Sequence, residues 1–391
     1  MICKFGFGGM MEMIYIAKDI PLWQVTIWDK KFNNVDKKWQ PKTIKYKYLL
    51  SDELDSLRVD DGDVRILYTG KDVGFTTEEL AGDRLSEGEI ISIPWGGIPT
   101  VKYHKGKFVT GDNRIATSKD INKLTNKYLY YFMRGNIHEI ASYYRGASLK
   151  HPCMKDILKM TISYPSVQEQ DKICGQFDVL EQIIEVRKQE LQLLDDLIKA
   201  RFVEMFGNPD LNEKEWDINK MERLCEVSSS KRIYQNEQSV IGIPFLRISD
   251  LVNRMDTGSK ECDLYIPEEK YEELKDQGLV PIKGDILLTA RGTLGRCYII
   301  QENDEFYFQD GMITWLSNFN EKITSLYIAY LFSMPGFRKQ IDALQAGSTV
   351  AYLSISMTKK LDIMVPPIEL QNQFADFVHQ VDKSKVVEII N

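Results

Sequence analysis

The feature that most constrains this 391-residue chain is that it says nearly the same thing twice. Leu85-Ser-Glu-Gly-Glu-Ile-Ile91 matches Pro281-Ile-Lys-Gly-Asp-Ile-Leu287 at an offset of 196. Tyr128-Leu-Tyr-Tyr-Phe132 matches Tyr327-Ile-Ala-Tyr-Leu331 at 199, and Gly146-Ala-Ser148 falls near Ala346-Gly-Ser348 at 200. Ile162-Ser-Tyr-Pro-Ser-Val-Gln-Glu-Gln170 matches Ile363-Met-Val-Pro-Pro-Ile-Glu-Leu-Gln371 at 201, and Trp23 pairs with Trp216 at 193. The offset only grows, as small insertions in a diverged duplication make it do. The chain therefore reads as two related globular blocks, each followed by a helix. Apolar runs at Ile90–Pro94 and Asp285–Thr289 predict strands bounded by Gly and Pro, and Tyr128–Met133 and Leu326–Phe332 predict helices packed on a sheet. The fold class expected is α+β.

The segment after Pro165 differs in kind. Ile173, Phe177, Leu180, Ile184, Leu191, Leu194 and Ile198 follow the 4-3 spacing of a coiled-coil seam, interrupted by Arg187 and extended by Phe202 and Met205. Pro165 suits the position before a helix, and Gly207-Asn-Pro209 stops one. A helix over 166–207 spans roughly 60 Å at 1.5 Å per residue. A small domain cannot bury such a seam alone. Phe374, Phe377 and Val381 begin a second, shorter stripe after Pro366-Pro367, so the arrangement expected is an antiparallel helix pair joining two blocks. Either the pair is unequal or a partner chain covers the remainder of the seam. The boundaries that follow are 1–165 for the first block, 166–207 for the central helix, 208–365 for the second block and 366–391 for the short distal helix.

Composition narrows the function. With 43% hydrophobic residues, dominant disorder is excluded, and no apolar run is long enough to span a bilayer. The start, Met1-Ile-Cys-Lys-Phe5, lacks the layout of a signal peptide, and the expected location is cytoplasmic. Six cysteines form no CxxC pair and the four histidines have no zinc spacing, so reduced thiols and no metal site are expected. The net charge of −7 is uneven: 166–207 carries −4 and 366–391 carries −2, which leaves the two blocks together at −1. Nearly neutral blocks can still present a basic face to phosphates.

No catalytic motif stands out. There is no P-loop, and Val365-Pro-Pro-Ile368 does not supply the Asn/Asp-Pro-Pro-aromatic loop of an amino-methyltransferase. The carboxylates around Pro209-Asp210 and Glu213-Lys214 are too close together for a nuclease site and read as a polar turn. A binding protein remains. Three loop clusters carry donors. The first is Arg291, Thr293 and Arg296 in a Gly-containing loop, with counterpart Trp95 and the run Lys102, Tyr103, Lys105 and Lys107. The second is Arg145, Ser148 and Lys150, with counterpart Ser348, Thr349 and Tyr352. The third is Lys231, Arg232 and Arg247, with a rough counterpart at Lys30, Lys31 and Asn34. Arginine forks suit guanine edges or phosphates, while the lysines suit phosphates alone. Equal scaffolds bearing unequal loops are what two readers of different sequences would show.

Pro165-Ser-Val-Gln-Glu-Gln170, Arg187-Lys-Gln-Glu-Leu191 and the run from Arg201 to Gly207 closely resemble the central conserved helix of type I restriction–modification specificity subunits. Gly284–Gly295 and Pro366–Gln371 look like that family's target-recognition and distal-helix patterns. The resemblance implies a non-catalytic reader of a bipartite target in double-stranded DNA, made of two target-recognition domains on antiparallel helices. It also implies partners: methylation subunits, two by expectation, that dock on the helices through the seam and use S-adenosylmethionine, and restriction subunits that use ATP with Mg. No cofactor is expected in this chain. The rival readings are a fused nuclease or adenine methyltransferase, and a coiled-coil adaptor that touches no DNA.

Overall fold

In the strand Ser86–Pro94 side chains alternate between faces. Ile91 and Ile93 pack with Leu129 and Met133 of the helix Asn126–Gly135, while Ile90 packs with Phe108 and Ile115 on the opposite face. The strand Ile286–Thr289 does the same: Ile286 and Leu288 meet Ile328 and Leu331 of the helix Ser325–Ser333, and Leu287 joins Ile313 and Trp315 behind. The computed structural model describes residues 17–29, 40, 42–70, 73–345 and 351–390. The chain divides into two compact units, 1–186 and 187–391.

The first unit is built on a six-stranded sheet in the order Thr26–Trp28, Asn113–Ser118, Ser86–Pro94, Lys102–Thr110, Val64–Leu67 and Val73–Thr76. Its neighbours are antiparallel except Lys102–Thr110 and Val64–Leu67, which run parallel. The second unit has an antiparallel sheet of Glu226–Ser228, Ile313–Ser317, Ile286–Thr289 and Cys297–Ile299, beside a three-stranded sheet of Tyr265–Ile266, Ile243–Leu246 and Tyr307–Phe308. Both units are mixed α and β, as the pattern of runs requires.

The duplication is plainest at two buried glutamines. Gln170 accepts from the Thr125 N–H at 2.9 Å and donates to the carbonyls of Lys123 at 2.7 Å and Pro165 at 2.9 Å. Gln371 accepts from the Thr324 N–H at 2.9 Å and donates to Lys322 and Pro366, each at 2.9 Å. Both side chains are fully buried. Thr125 and Thr324 in turn cap the sheet-packed helices by accepting from Tyr128 N and Tyr327 N. In each unit the strand before the long helix also pairs with an early strand, Thr161–Tyr164 with Ala17–Pro21 and Asp362–Val365 with Asp217–Lys220. One latch thus fixes each long helix to its own block.

Two of the sequence matches shift. Ile91 opposes Ala116 and Ile286 opposes Leu316, while Trp95 N donates to Asp112 O and Ala290 N to Met312 O. These pairs set the strand offset at 195, one residue away from the glycine match at 196, and a slip of one residue turns every side chain to the other face. The tryptophans are not equivalent either. Trp23 follows its strand, whereas Trp216 precedes one and donates Nε1 to the Phe206 carbonyl at 2.8 Å, closing the end of the long helix.

That helix runs Val167–Phe206 and stops at Gly207, whose φ of +81° suits glycine after a helix end. Its apolar seam divides. In the second unit Ile198, Phe202, Met205 and Phe206 are core residues, and Leu194 packs on them. The distal helix Ile368–Ile390 lies antiparallel here, with Phe374 against Phe202 and Phe206, Phe377 under Arg201, and Lys385 on Asp195 at 2.7 Å. In the first unit the helix uses the neighbouring face: Gln170 and Cys174 are buried, and Asp178 accepts from Tyr131 Oη at 2.7 Å and Lys127 Nζ at 2.6 Å, while the seam residue Phe177 stacks on Tyr131 at 4.9 Å from the edge of that face. Burial opposes the Asp178 charge, yet those hydrogen bonds hold its carboxyl below the usual range. Phe177, Leu180, Ile184 and Leu191 remain 44%, 52%, 53% and 36% exposed, and Ile173 is half-buried, so the seam is covered only toward its C-terminal end. The five described cysteines are free thiols, and burial pushes Cys174 up to about 11 and Cys225 to about 12.

Replacing Gln170 or Gln371 with Leu leaves a buried N–H and two carbonyls without partners, which should destabilise the affected unit by about 3 kcal/mol. Urea unfolding followed by a probe in each unit checks this. Each variant should lower only its own unit's midpoint, while Gln192→Ala, at an exposed position on the long helix, should change neither.

Candidate nucleic-acid interface

Each unit brings two of the donor clusters together. In the first, the Trp95–Gly97 turn leaves the central strand and meets the hairpin Tyr144–Pro152. Tyr144 Oη donates to the Pro94 carbonyl at 2.8 Å, Gly97 N donates to Lys150 O at 3.3 Å, and His151 Nδ1 lies 2.7 Å from Trp95 O. The rings of Trp95 and His151 stand 5.3 Å apart. In the second unit the loop after Thr289 meets Tyr352 in the same way. Arg291 and Tyr352 form an antiparallel bridge, Leu353 N donates to Ala290 O at 3.0 Å, and the Arg291 guanidinium lies 5.0 Å from the Tyr352 ring centre. His151 and Tyr352 stand 201 residues apart, the offset of the latches. A ring from the second cluster therefore packs on the strand-end loop of the first in both units.

What lies beneath the two loops differs. Trp95 rests on Arg114, a fully buried arginine whose guanidinium is 4.7 Å from the Trp95 ring and 5.3 Å from Tyr48. Arg114 pairs with buried Asp29 at 3.1 Å and with Asp112, and Asp29 also accepts from Ile115 N at 2.8 Å. Under the second loop Arg338 donates to the Leu294 carbonyl, and Gly295 at φ +72° leaves room for it, since a Cβ there would come within 3.0 Å of the guanidinium. Thr289 Oγ1 accepts from Arg296 N at 3.0 Å and donates to Thr293 O, which ties the loop to its strand. Sequence reasoning missed Arg114 and Arg338. The signal for Arg114 was no more than a charged residue beside the apolar pair Ile115-Ala116, and its partner Asp29 is distant in sequence.

The remaining candidates fall into two groups. Arg291 and Thr293 are exposed on the loop, and Arg145, Ser148, Lys105, Lys150 and Lys231 are also exposed. Arg145 pairs with Asp156 at 3.0 Å and Lys105 lies 3.9 Å from Glu89. The others are committed to the protein. Lys102 donates to the carbonyls of Tyr68 and Gly70, Tyr103 Oη donates to Glu89 at 2.8 Å, and Lys107 pairs with Glu78, which pushes its ammonium above the ordinary value. Arg232 pairs with Asp310, and Arg247 with both Asp250 and Asp263. Arg296 binds Asp256 and holds that carboxyl below its usual range. Ser348 and Thr349, together with Lys30, Lys31 and Asn34, lie outside the described residues.

Two blocks of one scaffold with unlike loops, each latched to a long helix, match a single family model. The type I restriction modification DNA specificity domain aligns with residues 54–195 and 213–391. The chain belongs to that family. A putative type I restriction enzyme specificity subunit of Haemophilus influenzae is 26% identical over 307 residues, covering 76% of this chain and 75% of that one. The MjaVIII specificity subunit of Methanocaldococcus jannaschii is 22% identical over 335 residues, covering 80% and 76%. The crystal structure of a type I restriction-modification S subunit from M. genitalium shares the fold, with a TM-score of 0.55 and 16% identity over 96% of this chain and 92% of the other. No helix among the described residues is long and apolar enough to cross a membrane.

If Arg291 reads a guanine edge, Arg291→Ala should cost on the order of 1–3 kcal/mol at one base position and relax preference there. Duplex-binding competition with single-base variants at fixed salt checks this. An even loss over all sequences would make Arg291 a phosphate contact, and no loss would remove it from the interface.

Proposed function

We propose that this specificity subunit reads a bipartite target in double-stranded DNA, one half with each unit, and that its helices hold the partner subunits that do the chemistry. The carrying observation is the repeated pairing of a strand-end loop with an aromatic ring, Trp95 with His151 and Arg291 with Tyr352, on scaffolds that share a latch. Exposed Arg291 and Thr293 would meet base edges in one half-site. Lys105, Lys150 and Lys231 would hold phosphates and set register without reading sequence.

The partners follow from the same reading. Methylation subunits, two in number, would carry S-adenosylmethionine and dock along the exposed seam around Phe177, Leu180, Ile184 and Leu191. Restriction subunits would bring ATP and Mg. Methyl transfer and cleavage then belong to those chains, and the site of action is the cytoplasm. Coiled-coil seams of this kind favour helical partners, because knobs of one helix need holes in another.

The long helix would act as the ruler between half-sites. Inserting seven residues after Glu185 adds two turns, about 10.5 Å, and nearly preserves the phase of the helix. The spacer of the preferred target should then lengthen by about three base pairs, at roughly 3.4 Å each. Selection from random duplexes with the reconstituted complex reads it directly. An unchanged spacer would remove the ruler from the proposal.

A further inference from the structure

The two units differ at one equivalent place, the cleft between the strand beside the central one, the sheet-packed helix and the long helix. In the first unit the chain fills this cleft itself. Tyr103 and Tyr130 stand 5.8 Å apart, Tyr130 contacts Tyr131 at 4.9 Å, and Arg134 Nη1 donates to Tyr130 Oη at 3.0 Å while pairing with Glu181. The pairing Ile91 with Tyr103 and Ile286 with Ile299 puts Ile299 in the place of Tyr103. At the helix offset of 199, Ala329 replaces Tyr130 and Ser333 replaces Arg134. At the latch offset of 201, Val378 and Asp382 replace Phe177 and Glu181. Two phenol rings and a guanidinium are thereby reduced to a butyl group, a methyl and a hydroxymethyl.

A hollow of roughly 730 Å³ is left, with Ile299, Leu326, Ala329, Phe332 and Val378 among its walls and Asp382 at the rim. Its strand wall, Cys297–Ile299, is the edge of its sheet and pairs on one side with Ile286–Thr289. Asp382 is half-exposed and has Lys385 at 3.1 Å, so its carboxylate retains lone pairs for a second cation, as Glu181 has in Arg134.

We infer that this hollow is a docking site for an extended segment of a partner protein that inserts an aromatic side chain and sets an arginine or lysine against Asp382. The first unit supplies the template: the same scaffold accepts two tyrosine rings and an Arg–Glu pair from its own chain. The strand edge borders the hollow, with the Ile299 carbonyl accepting from Gln301 Nε2 at 2.8 Å, an amide that an extended backbone would replace, and aromatic anchors in pockets carry much of the affinity of such contacts. The inference does not depend on which loops read DNA.

The test uses the full chain with labelled Ile, Leu and Val methyl groups and the probe N-acetyl-Arg-Tyr-amide. Saturable shifts of the Ile299 and Val378 methyls are expected, with Ile66 in the first unit unmoved. N-acetyl-Arg-Ala-amide should bind at least about fivefold more weakly, because a lone ring supplies most of the contact. Ala329→Tyr with Ser333→Arg restores the first unit's filling and should abolish the shifts while leaving duplex binding unchanged. If that pair does not fold, Ala329→Met narrows the hollow and should weaken the probe by about threefold or more. Absence of saturable shifts, equal binding by the filled variant, or stronger binding of adenosine than of the tyrosine probe would each overturn the inference.

Discussion

A single buried carboxamide at the head of each long helix decides where that helix stands on its block. Gln170 and Gln371 each join three backbone groups that would otherwise be unpaired inside the protein: the N–H of the capping threonine, a carbonyl two residues before it and a proline carbonyl at the helix entrance. A hydrocarbon of the same size would satisfy none of them. Because the capping threonine begins the helix that packs on the sheet, the carboxamide ties together sheet, packed helix and long helix. That junction fixes each long helix against the sheet whose strand carries the loop.

Equivalent junctions allow unequal surfaces. The frame accepts Trp95 over a buried arginine in one unit and exposed Arg291 beside Tyr352 in the other, with no change in the strand pairing beneath. In the first unit the loop is held by a buried ion pair, Arg114 with Asp29, where removal of one partner strands a charge. In the second it is held by the Thr289 hydroxyl and the Arg338 guanidinium, which donate to loop carbonyls and leave Arg291 and Thr293 exposed. Between the two units of this chain the frame keeps register while the loops change.

The strands, the packed helices and the long helix were legible because each depends on local runs and periodicity. The duplication was legible too, yet its register was not. Gly88 and Gly284 look equivalent as letters, but strand pairing sets the offset one residue away, and only cross-strand partners distant in sequence decide parity. The 4-3 spacing of the seam was correct as a stripe and silent about its cover. Ile198 and Leu194 meet a neighbouring core, whereas Leu180 and Ile184 face outward because the first unit binds the helix through Cys174, Asp178 and Glu181 on the adjoining side. At the candidate interface, residue type picked out loops that the fold brings together within each unit. It could not separate exposed Arg291 from Arg247 or Lys102, because the groups that engage the latter pair come from elsewhere in the fold.

If each unit is a self-sufficient reader mounted on a common frame, residues 1–165 can be replaced with a second copy of 208–365 and bound duplexes selected with the reconstituted complex. Two copies of one half-site should then be recovered, both matching the half read by the second unit in the parent chain. Recovery of the parental bipartite sequence, or of a single half-site with no partner, would contradict the account.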